Sequence, residues 1–310
     1  MCHLWFFGFS REIEDGSQIF GFAIISAKAK IVEQDMANPS DDKALIEDSI
    51  RREFHSRLFA PFTKACKTYD LIKEGDNIAV CISGGKDSML MAKLFQEIQR
   101  HNKVDFELTF LVMDPGYTEE NRSLILSNAQ KMGIPVTVFE SNIFDETDPL
   151  EKGICYVCAR MRRGHLYQKA KELGCNKIAL GHHYDDVIET ILMGMLYGGQ
   201  IRTMMPKLKS RNYERMELIR PMYLIRESDI CAWKEYNGLT FLDCACHKIS
   251  RKEEGTDSSK RQEIKELIKS LKTVNPSVEA NIFSSVENVD IDAIIGYKKN
   301  GKRKIFLDEY

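Results

Sequence analysis

The chain lacks an excess of charge of either sign: 44 basic residues face 46 acidic ones, for a formal net charge of −2. That excludes a generally basic nucleic-acid coat, so a nucleic-acid partner would need a local basic face. Long apolar runs are missing as well. Leu4–Phe9 and Phe20–Ile25 are the apolar stretches of the first 35 residues, and neither approaches the ~20 residues that span a bilayer. Only His3 precedes Leu4, where a secretory signal needs a positive segment, and the acidic residues at 12, 14 and 15 argue against a mitochondrial transit peptide. A cytoplasmic chain with no membrane partner is expected. No internal repeat is visible. Nor is there the even cysteine count of a short secreted disulfide framework, since 310 residues carry nine cysteines. In an intracellular chain this implies metal or catalytic use for some cysteines and packing for the rest.

What is present is ordinary globular material, 43% hydrophobic and 29% charged, and long enough for a large core. Residues 1–35 read as an N-terminal extension, with Met36 as the expected natural start and Ala37–Asp41 as a polar N-terminus; the alternative is a genuine extra hairpin. Residues 36–75 read as a helical segment, 76–246 as the main domain and 247–310 as a helical and basic tail. Leu45, Ile46, Ile50, Phe54, Leu58 and Phe59 recur at helical spacing until Pro61, which breaks the helix or begins a second. Strands are predicted at Asn77–Ile82, Phe106–Met113, Pro135–Phe139 and Lys177–Leu180. Helices are predicted at Ser88–Arg100, Glu119–Met132, Leu166–Leu173 and Asp185–Leu196. After Gly198 the alternation weakens, and 247–272 reads as a solvated helix. Largely apolar strands alternating with helices predict an α/β fold, a Rossmann-like parallel sheet with helices on both faces. Ligands of such sheets sit beyond the carboxyl ends of the strands.

Three features fall at that edge. Ser83-Gly84-Gly85-Lys86-Asp87-Ser88 joins the first strand to its helix, where glycines admit a close ligand and helix N–H groups point at an anion. It is neither a Walker A loop, because Val80 and Asp87 stand where Gly and Ser/Thr belong, nor a GxGxxG. The alternative is a plain strand-to-helix turn. Asp114-Pro115-Gly116 ends the second strand. Gly181-His182-His183-Tyr184-Asp185-Asp186 follows the fourth, with carboxylates in the first turn of a helix. By itself that cluster also reads as a helix cap plus surface charge, and His182 and His183 also read as packing residues.

The loop Ser83–Ser88 resembles that of the PP-loop ATP pyrophosphatases. Gly181–Asp186 with Glu189-Thr190, Tyr197-Gly198-Gly199 and Met205-Pro206-Lys207-Leu208 resembles their tRNA 2-thiocytidine synthetase branch, over roughly Phe54 to Leu271. The resemblance implies that Ser83, Gly84, Gly85, Asp87 and Ser88 hold ATP phosphates with Mg²⁺, near Asp114 and Gly181. It implies catalytic roles for Asp185, then Asp186, with Lys86 as a supporting cation. It also implies a [4Fe–4S] cluster on Cys155 and Cys158, a CxxC, and a third cysteine. Here the later pair reads CxC, leaving Cys244 as the expected ligand and Cys246 as the alternative. A zinc ribbon would place its second pair only ~15–20 residues on. Cys66, Cys81, Cys175 and Cys231 read as buried thiols.

The implied activity is adenylation of a cytidine C2 oxygen in a tRNA anticodon loop, followed by replacement with sulfur. A cysteine desulfurase or free sulfide is the expected donor, and a homodimer stays open. Arg160, Arg162 and Arg163, and Arg202 and Lys207, are the expected RNA contacts, with Lys209, Arg211, Lys248, Arg251 and Lys252 nearby. Two rivals remain: a 2-thiouridine synthetase, disfavoured because no CxxC pair precedes Cys155 or follows Cys246, and a nucleotide- and metal-binding sensor without tRNA chemistry.

Overall fold

A computed structural model describes residues 39–101, 103–141, 154–242 and 257–308. The expectations on residues 1–35, on Cys244 and Cys246, and on the basic residues of 248–252 lie outside the described residues. Helix α1 runs Pro39–Arg51, followed by a π-helical turn, His55–Phe59, and helix α2, Ala60–Thr68, with Pro61 in its first turn. Pro61 therefore begins a helix, as its missing N–H permits at that position.

The sheet is then built by strand β1 (Asp76–Ile82), helix α3 (Lys86–Arg100), strand β2 (Phe106–Asp114), helix α4 (Glu119–Lys131), strand β3 (Val136–Glu140), helix α5 (Ile154–Glu172), strand β4 (Lys177–Ala179) and helix α6 (Tyr184–Leu196). Two short strands not foreseen, β5 (Lys207–Lys209) and β6 (Glu217–Ile219), complete it. The order is β3-β2-β1-β4-β6-β5, with every pair parallel except β5 against β6. Helices α7 (Glu227–Tyr236), α8 (Asp257–Val274) and α9 (Val278–Ser284) and a terminal hairpin, β7 (Gly296–Lys299) and β8 (Lys302–Ile305), follow.

Burial on both faces explains the apolar strands. Ile78, Val80 and Ile82 of β1 join Leu90 and Leu94 of α3, Ile125 of α4 and Trp233 of α7 in one core. Their neighbours Ala79 and Cys81 point the other way, into a core with Leu111, Ile178, Leu218 and Ala170 of α5. A strand alternates its side chains between faces, so only a sheet covered twice buries both sets. The expected fold class therefore holds. Each fully buried large aliphatic side chain contributes about 1.5–3 kcal/mol of transfer free energy. A third cluster joins Val187, Ile188 and Ile191 of α6 to Ile264 and Ile268 of α8 and Phe283 of α9. It seats α6 beside the carboxyl edge of the sheet. No helix among the described residues is long and apolar enough to cross a membrane.

Candidate functional site

Beyond Ile82 the chain turns through Ser83–Gly85 into α3. Gly84 has φ +85°, and a Cβ there would lie 2.6 Å from Ile125 Cγ1 and 3.0 Å from Leu242 Cδ1. Both the conformation and the space demand glycine. The loop is pre-shaped by its serines: the Ser83 N–H donates to Ser88 Oγ (3.1 Å), Ser88 Oγ donates to the Gly85 carbonyl (3.0 Å), and the two hydroxyls are 3.2 Å apart. Gly85 is the N-cap of α3 and offers no side-chain cap. The first N–H groups of the helix are thus left for an anion, which the helix dipole favours. Gly181 brings the end of β4 against this turn; a Cβ on it would meet the Asp87 carbonyl carbon and Ser88 N at 3.2 Å.

A cavity of about 440 Å³ opens at the same edge, lined by Ser83, Ser88, Met113, Gly181, His182 and three arginines, Arg162, Arg163 and Arg220. Arg162 and Arg163, expected as RNA contacts, therefore face the cavity from α5. Arg220, just past β6, was not singled out from the sequence. It is only 4% exposed, its Nε donates to His182 Nδ1 at 3.3 Å, and another N–H reaches the Met205 carbonyl. Burial and the neighbouring Arg163 push its pKa down to about 10. Burial and Arg220 together hold His182 down at about 4, so His182 stands neutral at pH 7, accepting at Nδ1. The signal available in the sequence was a charged residue directly after an apolar Leu-Ile pair, too common to weigh.

The carboxylates are arranged as a network behind the loop. Lys86 Nζ lies 3.1 Å from Asp87 Oδ1 and 3.1 Å from Glu227 Oε1. Burial works against its charge, but Asp87 and Glu227 outweigh that and raise its pKa. Asp87 Oδ1 is buried and accepts no hydrogen bond of good geometry, even from Lys86. Asp185 is committed to α7: Oδ2 accepts the Glu227 N–H at 2.7 Å and Oδ1 pairs with Arg226 at 3.0 Å. Asp186 closes a capping box with His183, accepting its N–H at 3.0 Å, and pairs with Arg261 of α8 at 3.2 Å. Glu189, one turn on, is 3% exposed, with Arg261 at 3.5 Å and Lys265 at 3.7 Å. Burial drives its pKa up to about 7 against the pull of those two cations. Asp114 spends Oδ1 on the N–H groups of Gly116 (2.9 Å) and Tyr117 (2.7 Å) and pairs through Oδ2 with Arg122. It shapes the loop after β2.

Of the other expected RNA contacts, Arg160 and Arg202 are exposed. Lys207 is drawn elsewhere: its Nζ donates to the Asp70 carbonyl at 2.6 Å and lies 3.3 Å from Glu217, the first residue of β6. The backbone of Lys207 pairs with Ile219 at the carboxyl end of β6, but its side chain runs back toward the other end of that strand, so its ammonium does not reach the cavity.

Cys66, Cys81 and Cys175 are buried thiols as expected, and burial pushes Cys66 and Cys81 up to about 12. Cys231 is only half-buried. Cys155 and Cys158 fall in the first two turns of α5, the helix whose next turn delivers Arg162 and Arg163 to the cavity. Helical rise puts Cys158 about 6 Å along the axis from Arg162. On the other side, the Leu242 N–H donates to the Gly84 carbonyl at 3.3 Å. From Leu242 to Cys244 an extended chain reaches at most about 7 Å. The described residues that flank the two cysteine segments, Arg162 on one side and Leu242 on the other, thus lie at the same edge of the sheet. Soft thiolates in that number suit an iron–sulfur cluster. Among the described residues no group of three His, Cys, Asp or Glu side chains could hold a metal.

A doubly wound sheet whose first strand ends in an uncapped, glycine-shaped anion loop, beside an arginine-lined cavity, defines a nucleotide-binding protein of the PP-loop class. The family described as the PP-loop domain matches residues 53–250. The tRNA-cytidine(32) 2-sulfurtransferase of Syntrophotalea carbinolica is 36% identical over 235 residues, covering 73% of this chain and 86% of that protein. That of Citrifermentans bemidjiense is 33% identical over 249 residues, covering 79% and 94%. Among solved structures, the U34-tRNA thiolase of Methanococcus maripaludis with its [4Fe–4S] cluster superposes with a TM-score of 0.57 at 22% identity, covering 74% of this chain and 79% of that one. This last likeness shows the shared fold. The chain belongs to the tRNA 2-thiocytidine synthetase family of PP-loop ATP pyrophosphatases.

Proposed function

We propose that the chain is an ATP-dependent tRNA sulfurtransferase that converts a cytidine of the anticodon loop to 2-thiocytidine. The observation that carries this reading is that α5 holds the CxxC at its start and supplies Arg162 and Arg163 to the cavity beside Ser83–Ser88. That arrangement supports a phosphate loop and a cysteine segment serving one site.

ATP enters with its phosphates on the loop. The N–H groups at the start of α3 and the hydroxyls of Ser83 and Ser88 hold the pyrophosphate, and the arginines of the cavity offset its charge. The Asp87 oxygen left without a hydrogen bond suits Mg²⁺, which takes one or two carboxylates and completes its shell with phosphates and water. An unpaired loop base can be drawn from its stack into the cavity. Its C2 oxygen attacks the α-phosphorus, pyrophosphate leaves, and the oxygen becomes a good leaving group. Sulfur then takes its place at C2 and AMP departs. Neutral His182, fixed by Arg220, lines this cavity as a hydrogen-bonding group that carries no charge at pH 7. Cys155, Cys158 and Cys244, or Cys246 in its place, would hold a [4Fe–4S] cluster. When bound, that cluster supplies a soft metal that keeps sulfur nucleophilic near neutral pH. Sulfide or a cysteine desulfurase is the donor this chemistry needs, and the tRNA of the cytoplasm the substrate.

The test is the nucleoside profile. Expressed in a bacterium lacking its own tRNA-cytidine 2-sulfurtransferase, the chain should restore 2-thiocytidine in digested tRNA, read by mass spectrometry. A profile that gains 2-thiouridine, or no thiolated base, overturns the proposal.

A further inference from the structure

The terminal hairpin lies past residue 250, beyond the stretch matched by the PP-loop domain. Its strands β7 and β8 are joined by Asn300-Gly301, with φ of +51° and +78°, the positive pair that a two-residue type I′ turn demands. This sets an in-register antiparallel ribbon: Lys299 faces Lys302, Lys298 faces Arg303 and Tyr297 faces Lys304. Like charges placed directly across a ladder destabilise it. Here two successive rungs carry only cations, and the five basic residues of 298–304 are all exposed. Lys298, Lys299, Lys302 and Arg303 have no acidic partner among the described residues. Side chains alternate between faces, so Tyr297, Lys299, Lys302 and Lys304 share one face and Lys298 and Arg303 the other.

We infer that this ribbon is an RNA-binding arm that grips the phosphate backbone of the tRNA. The inference rests on the proposed tRNA substrate. A chain of net charge −2 must concentrate its cations somewhere to hold a polyanion, and no described segment concentrates them as this ribbon does. The repulsion across its rungs is relieved by an anion lying along it, which accounts for charges that the hairpin's own stability opposes. Two aromatic side chains add contact: the half-buried Tyr297 lies on the lysine-rich face, and Phe306, 52% exposed, follows β8 directly. Contacts of this kind position a nucleic acid without reading its sequence, leaving base selection to the cavity.

The experiment uses the full chain with Lys298→Ser, Lys299→Ser, Lys302→Ser and Arg303→Ser combined, titrated with an unmodified tRNA transcript at several salt concentrations. Affinity should fall about ten- to a hundred-fold, and the slope of log affinity against log salt should become shallower by about 2 to 4. A second variant, Lys298→Arg, Lys299→Arg and Lys302→Arg, should keep both. The serine variant should melt no lower than the parent, because repulsion has been removed. Unchanged tRNA affinity and slope overturn the inference. So does unchanged tRNA binding with lost binding to phosphatidylserine vesicles, which would make the ribbon a membrane contact. A parent chain that binds ATP but no tRNA fails earlier, at the proposed function, and takes the ribbon with it.

Discussion

At the scale of single residues, the site depends on atoms that are absent as much as on those present. Gly84 holds a left-handed backbone against Ile125 and Leu242, with no room for a methyl group. Gly84→Ala should cost about 1–3 kcal/mol of stability and abolish ATP binding, since the loop must reshape to admit it; chemical denaturation and nucleotide titration check both. Glu189 makes a different prediction. Its carboxyl titrates near 7 in the fold against an ordinary 4.5. The folded state therefore holds the proton more tightly than the unfolded one. The stability this contributes is complete below about 4.5 and is lost as pH rises through about 7. Glu189→Gln keeps a neutral group there at every pH. Urea midpoints at about pH 5 and about pH 8 should differ less for this variant than for the parent. An equal or steeper fall would place the proton elsewhere.

Among elements, Asp185 shows how a residue expected in catalysis is used by the fold. It leaves α6 to cap α7, accepting the Glu227 N–H and pairing with Arg226. Asp185→Ala should uncap α7 and cost about 0.5–2 kcal/mol, seen as a lower melting temperature. Asp185→Asn keeps an acceptor for that N–H and should melt close to the parent. If Asp185 also serves the adenylation, the asparagine variant loses 2-thiocytidine formation while its melting holds; retained activity would leave it a cap alone. The sequence showed β1 to β4 and the helices between them because β1, β2 and β4 carry largely buried apolar runs and the strands are bounded by glycine and proline, with the edge strand β3 marked by Pro135 and its β-branched residues. It concealed β5 and β6, since three residues are too few to display a period, and with them Arg220, which only the sheet order carries to the cavity. Lys207 looked like a site cation by proximity to Gly198-Gly199, yet its side chain runs back to Asp70 and Glu217. The glycine loop was legible because its chemistry is local, whereas the arginine lining needs α5 and the end of β6, two elements distant in sequence.

For the whole molecule, the sheet and the thiolation chemistry are separable. The two large cores on the sheet are built from its strands and the helices that cover them, around Ile78, Val80, Leu90 and Leu94 on one face and Ala79, Leu111, Ile178 and Leu218 on the other. The loop Ser83–Ser88 is shaped by its own serines and by Ile125. Cys155→Ser or Cys158→Ser should therefore leave a folded chain that binds ATP like the parent. After anaerobic purification the parent should be coloured and carry about four irons per chain, while each serine variant should be pale and form no 2-thiocytidine. Cys66→Ser and Cys175→Ser supply the contrast: these thiols are packing, so their loss should lower stability and leave the colour. A pale parent chain would remove the cluster from the proposal. A variant of Cys155 that loses ATP binding along with its colour would show that the cysteine segment and the phosphate loop are one structural unit.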